Sequence, residues 1–439
     1  MNFKQFFNLL RQQRLFSGFY VTCTALSTAL TLTLFLIIYI MVGPVYPEQE
    51  RGRMAVVQRA QYEPANGNGG FNRSKTNMKL ADSLRIMPEV ELVTAIQQGW
   101  AETVADAGGK NFTCISKQVD DAYWQVFDFR FIHGRGFTRE EWEAQSPVCV
   151  ISESMARRVF GRTDVVDQML SIGGTSAYNP NRNNWQRRVV GVVEDASMAT
   201  PLTCAQFWSP AQYDGGYRDD LPFLGSSTLV VLLREGKTVA QLQQRVTCME
   251  KRINQEMEAA DHPYRVNLHG QPQPHWQSCF AHDMTDDWHP VLRKILWMLL
   301  AFLLIPAMNM SSMVASRINA RISEMGIRRA YGAGRGALLW QVLQENFLLT
   351  LAGSLAGLAI SWLIMALGAE RLVYLFNDEG RQLVDMAKMP VQLNADMLLS
   401  GWVVVVVIAA ALVLNLISAL IPTLWILHRP VTEEINSKR

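Results

Sequence analysis

The sequence has little net charge, and it lacks the motifs that would make it a nucleotidase or hydrolase by itself. Its 41 basic and 39 acidic side chains leave a formal charge of +2 over 439 residues, which gives no reason to expect a nucleic-acid partner. No G-x-x-x-x-G-K-[ST] phosphate-binding loop occurs, and the glycine-rich stretch around Gly334 lacks the required lysine. No serine–histidine–aspartate set or carboxylate pair stands at a recognisable catalytic spacing. We therefore expect no enzymatic activity and no cofactor on this chain.

Cysteine is scarce, and histidine is concentrated in one segment. Cys23 lies in an apolar run, and the central block holds five more cysteines, an odd number that leaves at least one without an intrachain disulfide. Five of the seven histidines lie between residues 262 and 289. His275, Cys279 and His282 are zinc-ligand types, but their spacing matches no established zinc pattern. A solvated linker is the favoured interpretation, and we expect no metal site.

Long charge-free runs occur near both ends of the chain. Each exceeds the roughly 20 apolar residues that a helix needs to cross a bilayer. A backbone in hydrocarbon must satisfy its own hydrogen bonds, so each run predicts a helix. The alternative, buried helices of a soluble core, is disfavoured by the occurrence of four such runs. They lie between Arg14 and Glu48, between Lys294 and Arg317, between Glu345 and Glu370, and between Asp396 and His428.

The first run follows several basic residues, as a signal peptide would. Its apolar stretch is about twice the usual 7–15 residues, and no small-residue cleavage site follows it, so we expect a retained anchor. Before it, Phe3, Phe6, Phe7 and Leu10 fall on one helical face, which predicts a helix lying in the membrane interface. The alternative is that these residues simply extend the membrane helix.

Basic residues predict the orientation. The loop between the second and third runs carries five arginines against the single Glu324, whereas the loop before the fourth run is acid-leaning. Because cytoplasmic loops carry an excess of Lys and Arg, both termini are predicted to be cytoplasmic and the central block to lie outside.

The predicted fold class is an α+β membrane protein with four transmembrane helices and a large mixed α/β periplasmic domain inserted between the first and second. The predicted segments are an interfacial helix (1–16), a membrane helix (17–43), the periplasmic domain (44–290), a membrane helix (291–316), a cytoplasmic loop (317–338), a membrane helix (339–369), a periplasmic loop (370–396), a membrane helix (397–427) and a cytoplasmic tail (428–439).

Patterns within the central block predict alternating strands and helices. Val148–Ile151 reads as a buried strand that enters a helix capped by Ser152 and ended by Gly161. Val189–Val193 reads as another buried strand. The Gly/Asn-rich segment from Pro64 to Asn77 is predicted to be a loop.

The third apolar run carries small residues at helix-packing spacing. Gly353 and Gly357 stand four apart, which lets two helix backbones approach closely. Glu345 lies about two turns inside the cytoplasmic end. We weigh two interpretations of it: an interfacial carboxylate paired with a nearby arginine, and a polar contact that changes during a transport cycle.

The segment Glu324-Met325-Gly326-Ile327-Arg328-Arg329-Ala330-Tyr331-Gly332-Ala333 resembles the cytoplasmic signature between the second and third membrane helices of FtsX-like, MacB-type ABC transporter permeases. Three central segments also resemble the periplasmic core domain of that family: DDAYWQVFDFRFIHGRGFTREE, SPVCVISESMARRVFG and RRVVGVVEDA. Asp167 departs from the family pattern, which often has glycine there.

This resemblance implies a permease subunit in the bacterial inner membrane that transmits mechanical movement to its periplasmic domain and exports a lipoprotein, peptide or antimicrobial compound. A separate ABC ATPase would hold the ATP and magnesium. The other implied partners are a second copy or a sister permease, and a periplasmic adaptor or membrane-fusion protein. A regulator that activates a cell-wall hydrolase, as in the cell-division relative, is the alternative function. The residues implied to contact the ATPase are Glu324, Gly326, Arg328, Arg329, Gly332 and Ala333.

Overall fold

A computed structural model describes most of the chain. The described residues are 14–66, 70–105, 109–173, 185–197, 199–213, 221–268, 270–280, 288–320, 327, 331–332, 334–374 and 401–427. They separate into two compact units, which we call the α/β unit and the helical unit. Ile40–Trp288 form the bulk of the α/β unit, and the helical unit contains the chain before Ile40 together with His289–Leu372.

The helical unit contains long helices with few charges. They are α1 (Arg14–Val42), whose last turn belongs to the α/β unit, α8 (His289–Ala320), α9 (Arg335–Tyr374) and α10 (Gly401–Leu427). Within the described residues, two segments are long and apolar enough to cross a membrane, Ser17–Val42 in α1 and Gly336–Gly368 in α9. Helices therefore occupy all four predicted runs, and two of them meet this stricter criterion.

The α/β unit alternates strands with shorter helices. Its helices are α2 (Met78–Arg85), α3 (Tyr123–Val126), α4 (Arg139–Glu143), α5 (Glu153–Phe160), α6 (Val239–Ala259) and α7 (His275–Phe280), with a 3-10 turn at Arg51–Arg53. Its strands are β1 (Met54–Val57), β2 (Ala60–Pro64), β3 (Asn72–Thr76), β4 (Val90–Ala105), β5 (Asn111–Val119), β6 (Phe131–Gly134), β7 (Val148–Ser152), β8 (Met169–Ile172), β9 (Trp185–Val193), β10 (Phe207–Pro210), β11 (Leu224–Gly225), β12 (Ser227–Leu233), β13 (Tyr264–Asn267) and β14 (Gln273–Pro274).

These strands form one continuous hydrogen-bonded network that is organised around β4. The first half of this 16-residue strand pairs antiparallel with β12, and the second half pairs with β5 after an irregularity between Gln98 and Ala101. The pairing continues through β5, β10, β7, β9 and β8, and β8 returns to β4 at Val104 and Ile172. A ring of six strands thus closes on itself around an apolar core that includes Cys149, and closure removes the exposed edges that an open sheet would have.

The strand-to-helix unit predicted at Val148 is confirmed. Strand β7 is fully buried, and the Ser152 hydroxyl accepts a hydrogen bond from the Met155 N–H as the cap of α5. Gly161 ends the helix with a φ of 71°, a left-handed conformation that costs glycine little. Asp167, at the position where the family often has glycine, also has a positive φ of 65°. Aspartate tolerates this conformation better than most residues, so the turn survives the substitution.

The prediction of a loop from Pro64 to Asn77 is wrong in its second half. Asn72–Thr76 form strand β3, which pairs with β2 and β12, and Asn77 caps helix α2 by accepting a hydrogen bond from the Leu80 N–H at 3.1 Å. The strand NRSKT has a mostly half-buried, polar surface and is held by backbone pairing. It therefore lacks the apolar alternation by which a strand is recognised in a sequence.

Candidate functional site

Most of the predicted ATPase-contacting segment lies outside the described residues: Glu324, Gly326, Arg328, Arg329 and Ala333. Gly332 is described, is exposed and has a φ of 92°. Tyr331 donates its backbone N–H to the Ile327 carbonyl at 3.0 Å, and these two side chains are 90% and 51% exposed. An aromatic and an aliphatic side chain one helical turn apart thus reach solvent just before α9 begins.

Gly353 and Gly357 lie where α9 packs against α1. A Cβ atom built on Gly353 would stand 2.6 Å from Thr24 Cβ, and one built on Gly357 would stand 2.6 Å from the Ala25 carbonyl oxygen. No side chain fits at these distances without moving a helix, so the two backbones approach as closely as they do only because both positions are glycine.

Hydroxyl groups continue this contact along both helices. Tyr20 and Thr350 share a hydrogen bond of 3.1 Å, and Thr33 and Ser361 share another of 3.1 Å. Several threonine hydroxyls of α1 also return a hydrogen bond to their own helix, as Thr33 does to the Ala29 carbonyl at 2.8 Å. We call the α1–α9 contact the helix seam. It is defined by Tyr20, Thr24, Ala25, Thr33, Thr350, Gly353, Gly357 and Ser361, all of them uncharged.

Glu345 directly precedes Asn346 on α9 and is only 4% exposed. The Gln341 side-chain amide donates to its Oε1 at 3.4 Å. The carboxylate is therefore buried within the helical unit.

A second cluster, in the α/β unit, was not anticipated from the sequence. Strand β1 pairs antiparallel with the two-residue strand β14 through Ala55–Pro274 and Val56–Gln273. This pairing brings the chain just before β1 beside the chain just after β14. Glu48 and Arg51 thereby meet His275 and Cys279 of helix α7, and we call these four residues the helix-end clamp.

Glu48 is at the centre of the helix-end clamp and is fully buried. Its Oε2 accepts from Arg51 Nε at 2.7 Å and lies 3.3 Å from His275 Nε2, while its Oε1 accepts from the Thr203 hydroxyl at 2.9 Å. The Cys279 sulfur lies 3.6 Å from the other ring nitrogen, His275 Nδ1. Both carboxylate oxygens are therefore occupied, as a buried charge requires.

The helix-end clamp also holds the end of α1. Arg51 Nη1 donates to the Ile40 carbonyl at 2.6 Å and to the Gly43 carbonyl at 3.0 Å, and Cys279 donates to the Met41 carbonyl at 3.3 Å. The last carbonyls of a helix have no partner within the helix and carry its negative dipole end, so a guanidinium group is well suited to them.

Glu48 and His275 stabilise each other's charged forms, and this shifts the pKa of each. Burial alone would raise the pKa of Glu48, but the charge of Arg51 and the contacts with His275 outweigh burial and lower this pKa to about 2. Burial alone would lower the pKa of His275, but its contacts with Cys279 and Glu48 raise it to about 9. Glu48 is therefore an anion and His275 a cation at neutral pH.

The helix-end clamp corrects the interpretation of the histidine-rich segment as a solvated linker. His275 is 1% exposed and belongs to a helix, although His282 lies outside the described residues. Across the described ranges, no group of three or more His, Cys, Asp or Glu side chains is arranged to hold a metal ion. None of the six cysteines, all of which are described, forms a disulfide. Cys149 is a core thiol, and burial raises its pKa to about 12.

Comparison with known proteins identifies the class. Residues 17–247, more than half of the chain, match the profile of the MacB-like periplasmic core domain, and residues 296–431 match the FtsX-like permease C-terminal profile. The chain therefore belongs to the MacB/FtsX-like permease family, whose members are membrane-embedded components of bacterial ABC transporters.

Similar curated proteins include the macrolide export ATP-binding/permease protein MacB of Aggregatibacter actinomycetemcomitans, which is 24% identical over 67% of this chain and 43% of that protein. The MacB of Escherichia coli strain K12 is 23% identical over 62% of this chain and 40% of its own length. The chain thus spans about two fifths of the length of these relatives.

The solved structures to which this chain is similar cover about half of it. A domain of a permease protein from Porphyromonas gingivalis is 19% identical over 50% of this chain and 88% of that domain, with a TM-score of 0.37. The periplasmic region of MacB from Actinobacillus actinomycetemcomitans is 16% identical over 48% of this chain and 88% of that region, with a TM-score of 0.30.

The helix-end clamp extends beyond the matched ranges. Glu48 and Arg51 lie inside the core-domain match, whereas His275 and Cys279 lie between the two matched ranges. The one sequence signal was a charged pair, Glu48 and Arg51, placed directly after an apolar run. Nothing in the sequence pairs it with His275.

Proposed function

We propose that this chain is the permease subunit of an ABC transporter in which ATP hydrolysis on a separate ATPase subunit moves the α/β unit on the far side of the membrane. The single observation that carries this proposal is the order of the matched domains. A MacB-like periplasmic core domain comes first and an FtsX-like permease domain follows, and the α/β unit stands between helices α1 and α8.

The proposal places four helices across the inner membrane, with both termini in the cytoplasm. Helices α1 and α9 contain the segments long and apolar enough to span, and α8 and α10 have 32 and 27 residues, more than the roughly 20 that a bilayer needs. Three arginines between α8 and α9, together with one near the end of α8 and one at the start of α9, favour a cytoplasmic position for that connection.

The proposed ATPase contact is the segment from Glu324 to Ala333. Arginines 328 and 329 would form charged contacts, and the exposed Ile327 and Tyr331 would supply apolar area. ATP and magnesium would be bound by the ATPase. The partners and cargo would be a second copy or sister permease, a periplasmic adaptor or membrane-fusion protein, and an exported lipoprotein, peptide or antimicrobial compound.

Co-purification with an ABC ATPase from the same organism tests the proposal. Replacing Arg328 and Arg329 by glutamate reverses two charges at the proposed contact, and we expect the ATPase to be lost from the purified complex. The matched control reverses Arg293 and Lys294, an exposed basic pair near the start of α8, and should retain the ATPase. Retention by the first variant, or failure of the wild-type chain to bind any ATPase, would contradict the proposal.

A further inference from the structure

The helix-end clamp lies close to both ends of the continuous segment that forms the α/β unit. The unit runs from Ile40 to Trp288, directly between α1 and α8. Glu48 and Arg51 follow shortly after α1 ends, and His275 and Cys279 belong to α7, which precedes α8 among the described residues. The chain entering the unit and the chain leaving it are therefore bonded to each other within one buried cluster.

The contacts within the helix-end clamp are directional and charged. Three carbonyls at and just after the end of α1, those of Ile40, Met41 and Gly43, accept hydrogen bonds from side chains of the clamp. Arg51 and Glu48 are 1% and 0% exposed in their side chains. Water is therefore not available to replace these bonds, and the helix end cannot rotate or tilt within the unit without leaving charges unpaired.

The segment between α1 and β1 is held at further points. The Tyr46 hydroxyl accepts from the Arg130 N–H at 3.2 Å, and the Arg130 guanidinium lies 4.9 Å from the centre of the Tyr46 ring. The Pro47 carbonyl accepts from the Asp128 N–H at 2.9 Å. This short connection is thus bonded along its length to the chain leading into β6, and it has little freedom to bend as a loop.

We infer that the helix-end clamp is the joint through which movement of α1 is passed into the α/β unit, with Arg51 as its principal positioning residue. This inference rests on the proposed function, because it names the place where that permease converts movement of a helix into movement of its outer domain. Arg51 acts through the carbonyls of Ile40 and Gly43, and Glu48 and His275 hold Arg51 in place.

The first test uses the isolated full-length chain in lipid nanodiscs and needs no ATPase. Amide hydrogen exchange is measured over residues 40–53 and, as an internal reference, over strands β4 and β12. We expect Arg51→Ala to speed exchange across residues 40–50 by about tenfold or more while β4 and β12 keep wild-type exchange. Unchanged exchange across residues 40–50 would overturn the inference.

Two further variants keep this test informative. Glu48→Gln preserves the shape of the side chain and removes its charge, so it should speed exchange across the same residues by a smaller factor, and it replaces Arg51→Ala should that variant fail to fold. Arg139→Ala breaks the exposed pair with Glu143 and should change nothing in residues 40–50.

The second test distinguishes a clamp that transmits movement from α1 to the α/β unit from one that only stabilises the structure locally. With the partner ATPase bound, ATP should change the exchange of the α/β unit in the wild-type chain. In Arg51→Ala, ATPase binding and ATP hydrolysis should persist while the ATP-dependent change in the α/β unit is lost, and Arg51→Lys should restore part of it. An undiminished ATP-dependent change in Arg51→Ala would refute the inference. A wild-type chain that binds no ATPase would refute the proposed function. Hydrogen exchange in the isolated chain would then test by itself whether Arg51 holds the end of α1 in the α/β unit.

Discussion

The helix seam and the helix-end clamp hold the same helix, α1, by opposite chemistry. The seam joins α1 to α9 through glycine backbones, threonine methyl groups and neutral hydroxyls, several of which also bond within their own helix. The clamp holds the end of α1 through a buried carboxylate, a guanidinium and an imidazolium. Contacts of the first kind carry no charge, and each contributes little free energy. Contacts of the second kind are costly to break and fix one geometry.

Removing Arg51 should have the largest effect. Arg51→Ala leaves Glu48 buried beside His275 without its main counter-charge, and losing one partner of a buried ion pair typically costs about 3–5 kcal/mol. We expect the free energy of unfolding of the α/β unit to fall by that amount in chemical denaturation. Arg157→Ala, which breaks an exposed pair with Glu153, should leave the unfolding midpoint almost unchanged. Equal losses of unfolding free energy in the two variants would show that the buried ion pair of the clamp stabilises the unit no more than an exposed one.

The free energy of unfolding of the α/β unit should depend on pH through the ionisation of His275. Its pKa is raised from 6.5 to about 9, so its contribution is complete below pH 6.5 and is lost as pH rises through 9. The corresponding free energy is about 3 kcal/mol for a shift of this size. Glu48, whose pKa is lowered to about 2, contributes fully above pH 4.5 and loses its contribution only as pH falls toward 2.

The measurement is a series of denaturation curves from pH 5 to 10 for the wild-type chain and for His275→Gln. Lys117 acts in the opposite direction, because burial lowers its pKa to about 8 and stability gains as it loses its proton in the fold. Since both proteins contain Lys117, the difference between their curves isolates His275. A difference that stays constant across this range would show that folding does not shift the pKa of His275.

Filling the helix seam should have an intermediate effect. Gly357→Leu places a side chain where even a Cβ would stand 2.6 Å from the Ala25 carbonyl oxygen, and overpacking of this kind costs about 1–3 kcal/mol. We expect a lower unfolding midpoint of the helical unit in bicelles. Ala356→Leu adds comparable bulk at the neighbouring exposed position and should be tolerated. Tolerance of both would mean that α1 and α9 do not pack through the glycines.

Removing one hydroxyl from the helix seam should have the smallest effect. Thr33→Val keeps the shape of the side chain and deletes the hydrogen bond to Ser361, and interhelical bonds of this type average about 0.6 kcal/mol. The same bicelle assay should detect a small loss relative to Thr22→Val, whose hydroxyl is exposed and bonds to the Gly18 carbonyl of its own helix. A loss of stability in Thr33→Val as large as that in Arg51→Ala would contradict the expectation that each hydrogen bond of the helix seam contributes little.

The two sites also differ in how far the sequence predicts them. Gly353 and Gly357 stand out because helix packing depends on spacing within one segment, and spacing can be read directly. Ser152 and Gly161 were predicted as the ends of α5 for the same reason. The helix-end clamp depends on the antiparallel pairing of β1 with β14, which joins distant segments through a strand of two residues. A strand of two residues is too short to show the alternation of apolar and polar residues by which strands are recognised in a sequence. The histidine-rich segment that contains His275 was therefore interpreted as a solvated linker.

The most direct measurement of the central claim is the distance between spin labels on α1 and on α6, at the exposed positions Leu26 and Thr247, in nanodiscs with the ATPase bound. In the wild-type chain, the distance distribution should be narrow and should keep its mean when ATP is added, because the clamp makes the end of α1 and the α/β unit move together. In Arg51→Ala, the distribution should be broad and its mean should change with ATP. An equally narrow distribution with an unchanged mean in Arg51→Ala would contradict the account.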